Sequence, residues 1–461
     1  MAKQQLGLIG AVAIGLASML GAGVFVVFSD AYRIAGSGLF LAIGLAALVA
    51  SLNAWSVYSL ARQVERPGGV YAYARVYVND TASFAAGFAF VFGKIGSIAA
   101  IALAFNEYFA PQWRTWPALG AIALLTLINV LGIQRTAAVA GVLAVTTTAF
   151  LLAVTVAGLA ASVATNHDAG TAPLGSALDL LQAAAVVFFA FAGYARVATL
   201  GTEVREAKRN IPRAILIALV SVLAIYLALA VALIGQLGTD LGILNAPIAN
   251  LAGRVLPALP QWVTTAVATL ASLGSILALL AGVSRTAAAM SEDGELPRQF
   301  ARRNRFGSPW LAEVIIAVGA MSLVLVGKLV WVIGFSSFSV LFYYAIGHVS
   351  ALRQFKHERV IPPWLAWLGL VLAAALALAV PGPAVPVSVA VLLVALLVRS
   401  NARISVQRKG KSRRYGGAAL GVINEIFQPN AHSVHLIQEE KREARVAKPA
   451  PEDTLKPGEL P

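Results

Sequence analysis

Long apolar runs separated by short polar intervals dominate this chain. Twelve of them, at about 6–30, 37–61, 82–106, 115–134, 136–163, 178–201, 213–236, 260–284, 310–328, 330–352, 363–380 and 383–399, approach or exceed the ~20 residues a helix needs to cross ~30 Å of hydrocarbon. Backbone groups in lipid must be satisfied internally, so runs of this kind read as helices. The pattern predicts an all-α polytopic membrane protein of twelve transmembrane helices. The first run is longer than a signal-peptide core, lacks a convincing small-residue cleavage site and is followed by eleven more, so it reads as a helix that is kept.

Composition agrees with that pattern. Charged residues make up 12% of the chain and hydrophobic ones 59%, and mean hydropathy is +0.78, more apolar surface than one globular core could bury. The net charge of +14 is explained by position. With the N-terminus placed inside, only Arg33, Arg114, Arg254 and Lys328 fall in outer loops, Lys94 and Arg196 lie within spans, and the remaining 29 basic residues are inside. This bias predicts a multi-pass cell-membrane protein with both termini cytoplasmic. It also removes the need for a nucleic-acid partner and leaves anionic lipid headgroups as the attraction. Past Arg399 the chain turns polar, with 12 basic and 7 acidic residues in the last 63. Residues 1–400 are therefore read as the membrane domain and 401–461 as a cytoplasmic, largely disordered, basic and Pro-rich tail. With no cysteine, disulfides, Cys-ligated zinc, iron–sulfur clusters and thiol catalysis are excluded.

Two spans carry glycine where a helix gains nothing from it. The first contains LASMLGAGVF, with Gly21 and Gly23 at mid-membrane, and the sixth contains FFAFAGYARVATLG, with Gly193. Each glycine costs a helix interior roughly 0.5–1 kcal/mol. Close helix packing explains such residues one at a time. Two interruptions in corresponding positions of two halves point instead to an inverted-repeat transporter with its site between them. Opened turns in lipid leave N–H and C=O groups that a polar substrate can satisfy. The N–H groups after Gly21-Ala22-Gly23 would hold a carboxylate and the carbonyls around Phe189 to Ala192 an ammonium, which together describe an α-amino acid.

Four segments in order, SMLGAGVF, ERPGGVYAYARVYV, FFAFAGYARVATLGTEVREAKRNIPRAI and SRTAAAMSEDGELPRQFARRNRFGSP, resemble the amino acid–polyamine–organocation (APC) superfamily of permeases over about residues 1–400. The resemblance implies a LeuT-type core of two inverted five-helix repeats, about 6–163 and 178–352, with helices 11 and 12 (about 363–399) peripheral, working by alternating access. It places the carboxylate-binding turn on Ser18, Met19, Gly21, Ala22 and Gly23, and the amino-group carbonyls on Phe189, Ala190 and Ala192 beside Gly193. It makes Phe189 an aromatic lid, and the loop with Pro67, Gly68, Gly69, Tyr71 and Tyr73 an inner closing element.

Charges inside the spans bear on coupling. Lys94 lies about twelve residues from either end of its run, roughly 18 Å from each surface, and is a candidate for proton coupling or for a fixed positive charge. Arg196, three residues past Gly193, cannot release a proton but is a second candidate. Some proton-linked relatives carry a lysine in span 5 and an acidic residue two past the span 6 glycine; here span 5 has no charge and that position is Ala195. Ser272 and Ser275 suit sodium in related folds, yet packing serines are commoner, so the proton is the preferred ion. No cofactor or metal is expected. No carboxylate lies near mid-membrane to meet a cationic side chain, Glu107 being near the outer end of its span, which favours neutral amino acids over cationic ones or polyamines. His348 reads as interfacial. An exchanger, and more remotely a substrate sensor, remain alternatives. An enzyme is not expected, since no HExxH or comparable constellation lies at membrane depth.

Overall fold

The computed structural model describes residues 7–64, 68–132, 137–165, 172–194, 197 and 204–401. Helix occupies each of the twelve expected runs. In chain order the helices are α1 (Leu8–Met19), α2 (Val27–Ala35), α3 (Leu39–Ala61), α4 (Val70–Tyr77), α5 (Asp80–Phe109), α6 (Trp116–Val130), α7 (Ala137–Thr165), α8 (Ala177–Phe191), α9 (Ala207–Leu237), α10 (Pro247–Val255), α11 (Gln261–Glu292), α12 (Trp310–Val326), α13 (Leu329–Leu352), α14 (Pro363–Ala379) and α15 (Ala384–Asn401). Eight stretches among the described residues are long and apolar enough to cross a membrane, while α6, α12 and α14 are shorter apolar helices. The packed unit runs to Leu396; of the unit that begins at Leu397 only the end of α15 is described. The expected tail at 401–461 lies outside the described residues except for its first.

Helix ends follow local chemistry. Ser176 and Asp179 form a reciprocal capping box that starts α8. Gly238, with φ of +56°, ends α9. Pro212 lies inside α9, which begins five residues earlier at Ala207. A proline this close to the N-terminal end removes only one early ladder bond.

Packing inside the unit relies on small residues. A Cβ built on Gly15 of α1 would lie 2.9 Å from Ala218 Cβ on α9, and one on Gly93 of α5 would lie 2.7 Å from Ser339 Cβ on α13. Without a hydrophobic drive between helices in lipid, such close approach supplies the dispersion contact. α5 packs along α13 and α11, α13 along α14, and α3 along α8, while α1 lies against α9. Among the described residues of these spans, helix gives way at 20–26 and at Ala192–Tyr194.

Candidate substrate site

The ladder of α1 stops with Leu20 N–H donating to Leu16 C=O at 2.7 Å. Gly21 is extended (φ −72°, ψ −156°), a single 3₁₀ turn covers Ala22–Phe25, and α2 resumes at Val27. Carbonyls released by the break are met from elsewhere. The Tyr226 hydroxyl of α9 donates to Met19 C=O at 2.7 Å and lies 3.3 Å from Ala190 C=O. The Tyr108 hydroxyl of α5 donates to Phe25 C=O at 2.7 Å. Both tyrosines are buried, and Tyr226 is wedged edge-on against Phe28 and Phe191. The Ser18 hydroxyl turns back to Ile14 C=O at 2.8 Å.

The second interruption begins where α8 gives way to a 3₁₀ turn, Ala192–Tyr194. The two breaks abut. A Cβ on Gly193 would fall 2.1 Å from Ser18 O and 2.8 Å from Met19 N; one on Gly23 would fall 3.1 Å from Ala190 Cα and 3.3 Å from Phe189 Cδ1. Gly193 is thus required because backbone passes against backbone. Phe189 is partly exposed beside Gly23, whereas Ala190 and Ala192 are buried.

Polarity at the junction follows from chain direction. α1 and α8 both end there, bringing two negative helix termini together at the carbonyls of Met19 and Ala190, while the 3₁₀ turn after Gly21 and α2 begin there, and the first N–H groups of a helix have no partner within it. Met19 and Ala190 both present carbonyl acceptors at this point. One hydroxyl within 3.3 Å of two carbonyls from different segments marks a spot where a single donor bridges both. Sequence reasoning missed Tyr226 and Tyr108, because a lone tyrosine in an apolar run looks like any core aromatic.

Of the coupling candidates, Lys94 is partly exposed on α5 with its Nζ 5.9 Å from the Phe90 ring centre, and among the described residues no carboxylate pairs with it. Arg196, with Ala195, lies outside the described residues. Ser275 donates back to Ala271 C=O at 2.8 Å, and Ser272 is buried on the same helix.

His348, expected at the interface, is enclosed by protein. It is fully buried, held between Ser56 Oγ at Nδ1 (2.8 Å) and Asn53 Oδ1 at Nε2 (2.7 Å), because α14 closes over that end of α13.

The inner loop is a helix, α4. Gly68 and Gly69 take φ of +120° and +58°, and the Val70 N–H that follows donates to the Tyr343 hydroxyl at 2.9 Å. Pro67 lies outside the described residues. On its other side Arg75 reaches Asp293 at 2.9 Å and Glu295 at 3.0 Å beyond α11, and the Tyr71 hydroxyl donates to Asp293 at 2.7 Å. Burial, then the bond to Asp293, pushes the Tyr71 hydroxyl well above its ordinary range, so it stays a donor.

Comparison with known proteins decides the family. The amino acid permease family matches residues 6–405. The chain belongs to that family. An uncharacterised transporter of Mycobacterium tuberculosis is 41% identical over 380 residues, covering 81% of this permease and 86% of the relative. The methylthioribose transporter of Bacillus subtilis is 26% identical, covering 75% and 80% of the two chains. Cationic amino acid transporter 6, chloroplastic, of Arabidopsis thaliana is 25% identical, covering 77% and 66%. Among solved structures, a substrate-bound outward-open state of a sodium-coupled sialic acid symporter matches with a TM-score of 0.51 at 11% identity, over 82% of the permease and 89% of that chain, a likeness of fold. The protein is thus a multi-span helical membrane transporter of the permease type with a LeuT-like fold.

Proposed function

We propose that this permease is a secondary active transporter that carries α-amino acids, neutral ones by preference, across the cell membrane by alternating access. The observation that carries the reading is the meeting of two interrupted helices at one point, with carbonyls of Met19 and Ala190 converging and the N–H groups after Gly21 opening beside them. A zwitterion satisfies both groups at once. Ser18, Met19, Gly21, Ala22 and Gly23 form one wall and Phe189, Ala190, Ala192 and Gly193 the other, Phe189 closing over the substrate. In the described conformation the walls touch, so loading requires them to part. Twelve spans in two inverted five-helix repeats, with α14 and α15 peripheral, accommodate the helices seen, and the charge bias puts both termini in the cytoplasm.

Proton coupling is the mode we favour, with Lys94, as a proton carrier or a fixed positive charge, and Arg196 the candidate charges within the spans that bear on it. Of the two serines that would suit sodium, Ser275 spends its hydroxyl on Ala271 C=O of its own helix. A cationic substrate side chain would need a carboxylate in the core of the spans, and Glu107 lies too near the outer end of α5 to supply one. The relatives that carry cationic amino acids and methylthioribose mark the range over which family pockets vary.

The test is uptake of a ¹⁴C-labelled mixture of the twenty common amino acids into proteoliposomes, with and without an inward-directed proton gradient. Accumulation driven by the gradient and competed by unlabelled neutral amino acids is the expected result. No uptake of any component would reject the amino-acid reading, and uptake indifferent to the gradient would reject proton coupling alone.

A further inference from the structure

A string of buried polar side chains leads from the second break toward the cytoplasmic end of α13. It starts at Tyr194, stacked on Tyr344 at 5.6 Å, whose hydroxyl has no hydrogen-bond partner among the described residues and whose polar neighbours are Tyr344 and Asn53. Asn53, Ser56 and Ser59 follow along one face of α3, three residues apart. His348 bridges the first two; Ser59 donates to Gln354 Oε1 at 2.7 Å, and Gln354 Nε2 returns to Ser59 C=O at 3.1 Å. Val360 N–H and Arg359 then tie this end to the loop after α13, at 3.2 Å to Ser59 Oγ and 3.1 Å to Gln354 C=O. Asn53, Ser56, Ser59, His348 and Gln354 are each at most 3% exposed.

Burying five polar side chains in an apolar bundle costs more than filling the same space with aliphatic ones. A passive latch between α3 and α13 needs none of them to be ionisable. The imidazole is also gripped, since a Cβ on Gly369 of α14 would lie 2.1 Å from His348 Cε1. Both of its partners are reversible. A serine hydroxyl donates or accepts, and an amide presents oxygen or NH₂, so the ring can hold a proton at either nitrogen or at both without losing a bond.

We propose that His348 is the proton-binding site of the coupled cycle, reached from the broken segment through Tyr194 and Asn53 and from the cytoplasm through Gln354, Ser59 and Ser56. This rests on the proton-coupled reading above. In the step itself, H⁺ adds to the Nδ1 lone pair while the Ser56 hydroxyl swings to a carbonyl of its own helix and its oxygen accepts from the ring. Release reverses both movements, and only the N–H bond is made and broken.

The electrostatic surroundings are sparse. α3 brings Tyr58 and, at its end, Arg62, α4 Tyr71, Tyr73, Arg75 and Tyr77, α5 Lys94, the α8 segment Tyr194, α13 Tyr343 and Tyr344, and α14 nothing ionisable; Glu358, which accepts from Tyr77, and Arg359 stand at the cytoplasmic end. No carboxylate is hydrogen-bonded to the ring, and α8, whose negative C-terminal end lies at the substrate break, packs on α3, the helix that carries both partners of the imidazole. Because α8 ends at the substrate break, its movement on loading alters how tightly His348 holds its proton.

The test uses the full-length protein in liposomes containing a pH dye, with the ¹⁴C amino-acid mixture as probe. In His348→Gln, amino-acid-induced proton influx should fall at least tenfold while counterflow at equal pH falls no more than threefold. Influx within twofold of the parent protein would overturn the proposal. Should that variant fail to fold, Ser56→Ala removes only the reversible partner at Nδ1 and should cut influx at least threefold, more than it cuts counterflow; undiminished influx again overturns it. A parent protein that moves amino acids without protons would instead refute proton coupling, and this inference with it.

Discussion

At the scale of single residues, the account depends on atoms that leave no room and on bonds that cross the bundle. A methyl group at position 193 would have to occupy the place of Ser18 O. Gly193→Ala is therefore expected to push the breaks apart and lower uptake at least tenfold, whereas Gly253→Ala, where a Cβ meets nothing within 4 Å, should leave uptake within twofold. Tyr226→Phe leaves the buried Met19 carbonyl unpaired, a loss of about 1–3 kcal/mol in stability measured by thermal unfolding in micelles. Added amino acid should recover part of that loss, since an ammonium reaches the same carbonyl. The glycines were legible because glycine in mid-membrane demands a reason. Tyr226 was not, since its partner Met19 lies 207 residues away and no local pattern records that bond. The enclosure of His348 was not legible for a related reason: counting residues from the end of a run gives depth, but the cover that α14 lays over that depth is a tertiary fact.

At the scale of elements, hydropathy located the helices well because the bilayer sets their length and forbids open backbone between them. It erred where length was set by protein rather than lipid. α6 has 15 residues, roughly 22 Å, against the twenty expected, and α9 runs on past its membrane stretch to enclose Pro212. Polar helices outside the runs, α4 among them, left only a motif as their trace. α4 is pinned on one side by Tyr343 and on the other by Arg75 with Asp293 and Glu295. Arg75 and Glu295 are largely shielded from solvent, so this network should count for more than an exposed pair. Arg75→Gln should loosen α4 from the end of α11. The chain has no cysteine, so a single Ser83→Cys, buried beneath α4, reports this directly: maleimide should label it at least fivefold faster in the Arg75→Gln background. Unchanged labelling would mean that α4 is held by its packing alone.

For the molecule as a whole, membrane class, helix content and the pair of broken spans were all present in the linear pattern, and four motifs carried the family. Substrate preference was not, because it depends on which side chains of α5, α11 and α13 turn toward the junction, and helix rotation is decided by neighbours. The zwitterion we propose for the junction is independent of that preference: an ammonium at one set of helix ends and a carboxylate at the other. The most direct measurement is competition against uptake of the ¹⁴C amino-acid mixture by free amino acids, their methyl esters and their N-acetyl derivatives. Free amino acids should compete while both derivatives, each lacking one charge, should be weaker by at least a hundredfold. Equal competition by either derivative would show that the broken helices do not hold a zwitterion between them.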